Sequence, residues 1–445
     1  MTFQPRQPLL PQKEAASERG DEDKMNSEKA EKALPPSWVI VVASMICLSV
    51  GSTPVTVFSA GLLLEPMTTE FGWTHAQFWG PRLLGTIVGA IAAPLLGAWA
   101  DRVGVRKLLL PGITLYAAAN AGLSFIDGSL AIYFGLSLMV GVVCYFQSPP
   151  LYLKAISMRT DRHRGVATSI ALAGTGIGAA VLMPIVALLI STYGWRSVPA
   201  GLSIIMVAVA LPTVFFFVRD TPKLRSATSQ DPVVHDGLTP AQAFRTKNFW
   251  LMVGMFLIGG AAINGIFSNM ASLLHERDMS AAVAASVLSG VALAQMAGRL
   301  GAGALLDRIR TPKVGILWFA FAMAGVALIG QANTVETAVA GAILLGLGLG
   351  AELELAAYYT SRYFGLANFG RLYSMLFSAF VVGTGLGPVI VGHLFDVTGG
   401  FGIATMAAVG LLGLNCLLVL LLGPYVFVPG EKGKGPVNNP QIPAR

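Results

Sequence analysis

Twelve stretches of about twenty mostly apolar residues recur along the chain, near 38–64, 77–100, 107–125, 130–152, 166–190, 197–218, 248–273, 281–306, 314–332, 335–360, 372–394 and 402–427. A helix of that length spans the roughly 30 Å hydrocarbon core of a bilayer. In that medium the backbone must satisfy its own hydrogen bonds, which a helix does within one segment. The pattern predicts an all-α integral membrane protein of twelve transmembrane helices. Composition removes the soluble alternative. Apolar types make up 54% of the 445 residues and charged types 12%. A soluble domain carries about 25% charged residues, so this chain lacks the polar groups to cover a water-exposed surface of its size.

The charges that exist are sorted by loop. With the N-terminus cytoplasmic, the inner loops hold seventeen Lys and Arg, and the outer loops hold only Arg196 and Arg277. Short loops rich in these residues stay cytoplasmic, so both termini are expected inside. The net charge of +7 follows from this asymmetry, and no nucleic-acid partner is expected. Residues 1–36 carry six Lys/Arg and seven Asp/Glu. They are predicted to be a disordered tail and not a signal peptide. Residues 428–445 form a second tail. The polar inner stretch 219–247 divides the helices into a bundle over 37–218 and another over 248–427. The end of that stretch, Leu238 to Lys247, is expected to form a short helix with Pro240 in its first turn.

Chemistry of other kinds finds no motif. Cys47, Cys144 and Cys416 lie in apolar runs without metal-ligand or redox spacing, as core packers do. There is no His-Glu-x-x-His, nucleophile elbow or phosphate loop, and the five histidines are scattered. Neither a cofactor nor an enzymatic activity is expected.

Two loops are alike. One reads from Gly97 through Asp101, Arg102, Gly104 and Arg106 to Lys107; the other runs from Gly303 through Asp307, Arg308 and Arg310 to Lys313. Asp101 and Asp307 stand 206 positions apart, about half the spanning region, which marks a duplicated six-helix unit. A carboxylate at the cytoplasmic end of a helix, held by arginines and a helix terminus, makes a latch that favours one of two rocking states. Asp101, Arg102, Arg106, Asp307 and Arg308 are its candidate members.

The first of these loops resembles the signature loop of the major facilitator superfamily; the second lacks its inner glycine. Tyr145 through Lys154, Arg164 to Ala167, Arg362 to Gly365 and Phe369 to Tyr373 resemble the oxalate/formate antiporters and monocarboxylate porters of that superfamily. The resemblance covers about 38–427. It implies two pseudo-symmetric six-helix bundles that carry a small solute by alternating access, lined by the first and fourth helices of each half. Tyr145, Gln147 and Asn264 are the large polar residues expected to line that path, and interhelical hydrogen bonding is the other role open to them.

Four charges fall within spans: Arg82, Arg299, Glu352 and Glu354. A charge near the bilayer centre costs at least about 2.5–3.5 kcal/mol, so each is a functional candidate. Arg299 and Glu352 lie at similar depth on helices running in the same direction. An arginine grips a carboxylate with two parallel hydrogen bonds, so the same guanidinium can hold a glutamate when empty and a substrate carboxylate when loaded. Glu352 and Glu354 are separated by about 200° around a helix, and Glu352 is the expected cavity residue. Both are candidates for proton coupling. A structural ion pair between Arg299 and a helix-10 glutamate is the competing reading. In monocarboxylate porters the helix-8 arginine contacts the substrate anion, and Arg299 stands at its place. Gln295 replaces the aspartate of the animal members, and their helix-1 lysine has no counterpart in Ser52 to Thr56. Helix 11 also lacks the oxalate exchangers' second cation. A lone arginine suits a monoanion. Arg82, near the outer end of its helix, is expected to snorkel or to act at a gate.

Pro149-Pro150 is expected to break helix 4, and Pro184 and Pro388 to interrupt helices 5 and 11. The resulting expectation is a monomeric, proton-coupled carrier of a small organic monocarboxylate in a bacterial cytoplasmic membrane. The alternatives are a carrier of another small solute, by dicarboxylate exchange or drug efflux.

Overall fold

The computed structural model describes residues 37–157, 164–218, 237–309, 311–365 and 367–427. The two expected tails and most of the expected linker lie outside the described residues. Twelve helices follow one another: α1 (Trp38–Phe71), α2 (His75–Val103), α3 (Val105–Gly122), α4 (Leu130–Leu153), α5 (Arg164–Tyr193) and α6 (Ser197–Phe217) come first. The second half has α7 (Lys247–Ser268), α8 (Ala281–Arg308), α9 (Val314–Gly330), α10 (Val335–Phe364), α11 (Phe369–Thr398) and α12 (Gly402–Leu420). Ten helices among the described residues are long and apolar enough to cross a membrane, and α9 is a shorter apolar one.

Glycines decide which helices approach closely, and the same choices recur in both halves. A Cβ on Gly178 of α5 would run into the carbonyl of Ser49 on α1, and one on Gly387 of α11 into that of Ala261 on α7. Likewise Gly141 of α4 lies against Gly85 of α2, and Gly350 of α10 against the Gln295 carbonyl of α8. The pairs α1/α5 and α2/α4 therefore reappear as α7/α11 and α8/α10, which is the two-bundle architecture seen in packing. Small residues allow this because lipid offers no hydrophobic drive between helices, and close van der Waals contact must supply it.

Proline sets the irregular places, though not all those expected. Pro54 lies in a π-helical turn, Thr53–Phe58, inside α1; proline has no N–H for the normal ladder, and a π-turn absorbs the mismatch. In α4 a 3-10 turn over Cys144–Gln147 leads to an extended Ser148, and the helix resumes at Pro149. A residue before proline is driven out of the helical region, as anticipated. By contrast, α5 runs unbroken through Pro184 and α11 through Pro388. The expected interruptions are absent, because neighbours in a packed bundle satisfy the backbone groups that proline frees.

The approach to the second bundle is also specified locally. Thr239 and Gln242 form a capping box on a short helix, Pro240–Phe244, so the expected helix with proline in its first turn is present. Gly237 pairs with Gly365, and Leu238 donates its N–H to the Phe364 carbonyl at 2.8 Å. This ties the entrance of the second bundle to the α10–α11 loop.

Candidate functional site

The two bundles meet along α2/α11 and α5/α8, and the two ends of this seam differ. At the His75 end the seam is bonded shut. Asp396, near the end of α11, accepts the backbone N–H of His75 (2.9 Å) and of Ala76 (3.0 Å), the first residues of α2. A carboxylate there meets both the free amides and the positive end of the helix dipole. The His75 ring stacks on Phe395 at 4.3 Å. Trp79 donates its indole N–H to Asn269 Oδ1 at 2.9 Å, and Asn269 in turn donates to the carbonyls of Gly265 (2.9 Å) and Pro388 (3.3 Å). Phe58 of α1 meets Phe267 of α7 edge-on at 4.8 Å. Midway along, Ser289 of α8 donates to the Ala180 carbonyl of α5 at 3.0 Å.

Towards the Asp101 end a small cleft lies between α5 and α8, lined by Ser169, Thr175, Gln295 and Arg299 among others. Arg299 Nε lies 3.8 Å from Glu354 Oε1, and the side chains are 17% and 37% exposed respectively. That Nε makes no hydrogen bond among the described residues, so the pairing is electrostatic contact and not a formed bidentate grip. Tyr373 of α11 lies within electrostatic reach of both groups. It continues a ladder of rings along α11: Phe369 to Tyr373 (5.6 Å), Tyr373 to Phe377 (6.1 Å) and Phe377 to Phe380 (6.1 Å). Tyr373 did not emerge from the sequence as a site residue; the four-residue spacing of rings on α11 was the available signal.

The structure brings Arg299 together with Glu354, not with Glu352. Glu352 turns the other way, into the second bundle, and is 1% exposed. Residue counts put Arg299 and Glu352 at similar depth, but rotation about α10 decides which carboxylate meets the arginine.

The other expected lining residues are engaged within their own bundles. Gln147 is fully buried; its Nε2 donates to the Cys47 carbonyl (3.2 Å) and its Oε1 accepts from Tyr152 (2.5 Å). The Tyr145 ring packs over Gly89 of α2. Asn264 donates to the Gly260 carbonyl one turn back at 3.0 Å. Arg82 does not snorkel. Its Nε donates to the Tyr133 hydroxyl (3.0 Å), and its guanidinium lies 4.8 Å from the centre of the Phe78 ring. With Thr56, Ser59 and Asn120 it lines a small cleft inside the first bundle. An inward hydrogen-bond acceptor holds this arginine better than the apolar rim does.

Of the latch candidates, Arg106 donates to the Phe215 carbonyl at 2.8 Å and sits over that ring. Arg102 and Arg308 are exposed. The side chains of Asp101 and Asp307 lie outside the described residues. Among the described residues, no group of three or more His, Cys, Asp or Glu is placed to hold a metal.

The family model for the Major Facilitator Superfamily matches residues 44–350 and 270–444. The chain belongs to the Major Facilitator Superfamily. It is a multi-pass membrane transporter of that superfamily and not an enzyme. Monocarboxylate transporter 11 of Mus musculus is 25% identical over 416 residues, 88% of each chain. A probable sulfoacetate transporter of Cupriavidus necator is 25% identical over 405 residues, 82% of this chain and 89% of the relative. Among solved structures, a bacterial homologue of the human lysosomal transporter Spinster superposes with a TM-score of 0.69 at 17% identity, covering 87% of this chain and 97% of the other. That likeness bears on the fold.

Proposed function

We propose that this superfamily member carries a small organic monocarboxylate by alternating access, driven by protons, with Arg299 as the anion-holding residue. The observation that carries the reading is Arg299 itself: a guanidinium at a cleft between the bundles, facing a glutamate held only loosely at 3.8 Å. A substrate carboxylate competes with Glu354 for this cation and gains the two-bond geometry that Glu354 does not make here. Glu354 is then released from the arginine, and Tyr373 of α11 stands within electrostatic reach of both groups. The relatives named for monocarboxylate and sulfoacetate transport support an organic anion.

Alternating access follows from the seam. The His75 end is latched by Asp396, while the cleft lies towards the Asp101 end. With both termini cytoplasmic and the protein in a bacterial cytoplasmic membrane, this is an inward-facing arrangement. In the opposite state Asp101 and Asp307, with Arg102, Arg106 and Arg308, close the inner end. The bundles over 37–218 and 248–427 act as the two moving bodies of a monomer embedded in lipid.

The test is uptake of labelled pyruvate, lactate, formate and longer acids into proteoliposomes of the full-length protein, with and without an inward proton gradient. Acid-driven accumulation of at least one monocarboxylate is expected. Uptake of none, with sulfoacetate or a dicarboxylate carried instead, replaces the substrate; accumulation indifferent to pH removes the proton.

A further inference from the structure

The second bundle encloses two buried polar side chains that the transport path does not use. Glu352 of α10 is 1% exposed and Asn415 of α12 is 0% exposed. Neither oxygen of Glu352 and neither polar atom of the Asn415 amide makes a hydrogen bond among the described residues. They converge on the backbone of Gly259 on α7, where any side chain would collide with them. A Cβ there would lie 2.7 Å from Asn415 Nδ2 and 3.3 Å from Glu352 Oε1, with Phe319 Cε1 of α9 at 3.1 Å. The amide and the carboxyl are thus no more than about 6 Å apart, in a pocket walled by four helices.

Buried polar groups without partners are costly, so the pocket needs a chemical completion. Hydrogen-bond accounting identifies it. An ionised carboxylate accepts but cannot donate, while an amide brings two donors and one acceptor oxygen. If the two side chains close to bonding distance with Glu352 ionised, the carboxylate can accept only the Asn415 N–H, and Oδ1 faces a negative charge. With one proton on Glu352, its O–H donates to Asn415 Oδ1 while the Asn415 N–H donates to the other carboxyl oxygen. Closed to bonding distance, the two groups would then satisfy each other as a reciprocal pair. A hard metal cation suits the site less well: such ions take about six or more oxygens, and these two side chains offer three.

The surroundings contribute no competing charge. Of the helices against Glu352, α9 has no ionisable residue, α7 only Lys247 at its start, and α12 only Cys416. On α10 the nearest ionisable groups are Glu354, engaged with Arg299 of α8, Tyr358, whose ring lies under Arg362, and Tyr359, whose hydroxyl donates to the Pro312 carbonyl. Arg371, Tyr373, His393 and Asp396 are the ionisable residues of α11; Tyr373 is associated with the Arg299–Glu354 pair and Asp396 caps α2.

We propose that Glu352 and Asn415 form an enclosed acid–amide site that binds one proton inside the second bundle, out of contact with the substrate anion at Arg299. The proton adds to the carboxylate to give the acid, taken from water when α7, α10 and α12 part and returned to water when they part again. The inference rests on the proton-coupled reading above and assigns the coupling proton to Glu352.

Infrared difference spectra of the full-length protein in proteoliposomes, between acid and alkaline buffer, test it directly. The wild type is expected to gain a protonated-carboxyl C=O band on acidification. Glu352→Gln loses that band, Glu354→Gln keeps it, and Asn415→Leu moves it to higher frequency because the hydrogen bond to the carbonyl is gone. A band that survives Glu352→Gln, or that stays in place in Asn415→Leu, overturns the proposal, as does a wild type with no titrating acid band. Should Glu352→Gln fail to insert, Asn415→Leu decides alone. A wild type that shows the band but takes up no monocarboxylate leaves the proton site standing and removes the substrate reading. Acid-driven uptake with a band indifferent to Glu352 does the reverse.

Discussion

Helices α4 and α10 hold equivalent places in the two bundles, yet they send opposite chemistry inward. The offset of 206 that relates Asp101 to Asp307 also relates Phe146 to Glu352. Phe146 packs its ring where a Cβ of Gly112 would stand, on α3; Glu352 instead puts its carboxylate beside Gly259, on α7. Next to Phe146, Gln147 is buried but fully paired. Near Glu352, Asn415 is buried and unpaired. The first bundle therefore shows that this architecture can fill the position with a phenyl ring and settle its polar neighbours. A carboxylate there is not a demand of the fold. Departures from local consistency of this kind are expected at functional sites.

Six substitutions break or sharpen that contrast, from the largest effect to the smallest. Phe146→Glu transplants the unpaired carboxylate into the first bundle. It is expected to lower stability by about 3–5 kcal/mol, the cost of an uncompensated buried charge. The reverse change, Glu352→Leu, should raise the melting temperature while abolishing acid-driven accumulation; thermal unfolding in detergent and uptake assays read the two. If both variants destabilise alike, the two positions are equally structural and the contrast fails. Arg299→Ala removes the anion's partner and is expected to weaken substrate binding by about 2–5 kcal/mol, measured by equilibrium binding, with Arg299→Lys falling between because it cannot form the fork. An unchanged affinity makes the Arg299–Glu354 pair a strut of the second bundle.

Gln147→Leu strands the Tyr152 hydroxyl and the Cys47 carbonyl. The expected cost is about 1–3 kcal/mol of stability, with the substrate dissociation constant unmoved; a large loss of affinity would return Gln147 to the transport path. Asp396→Asn removes the charge that caps α2 and is expected to cost about 0.5–2 kcal/mol of the closed state. The reading is faster labelling of a cysteine placed at the His75 end. Equal labelling rates would mean that Asn269, Trp79 and the stacked rings hold that end without Asp396.

How much of this was legible beforehand differs from one residue to the next. The depth of Arg299 and of the α10 glutamates followed from counting along helices with a fixed rise. Their pairing did not, because a two-residue step turns a side chain by about 200° and nothing local says which face of α10 meets α8. Arg82 was placed correctly near one end of α2, but its inward hydrogen bond to Tyr133 depends on a helix more than forty positions away. Asn415 carries no signal in an apolar run, and nothing near Asp396 in the chain points to α2, which begins at its carboxylate. The break before Pro149 was legible because it is a constraint between adjacent residues. Continuity through Pro184 and Pro388 was not, because it depends on neighbours.

The amino-acid sequence alone determined that this chain lives in a membrane, crosses it about twelve times, is built from two related halves, and keeps a few charges where charges are expensive. Those properties arise from transferring each segment between water and lipid, which depends on the segment and not on its neighbours. The tertiary structure decided that Glu354 and not Glu352 faces Arg299, that Gln147 is occupied, that Asp396 closes one end, and that Glu352 shares a pocket with Asn415. Each of these is a meeting between helices distant in the chain, set by rotation about helix axes and by the gaps that individual glycines leave.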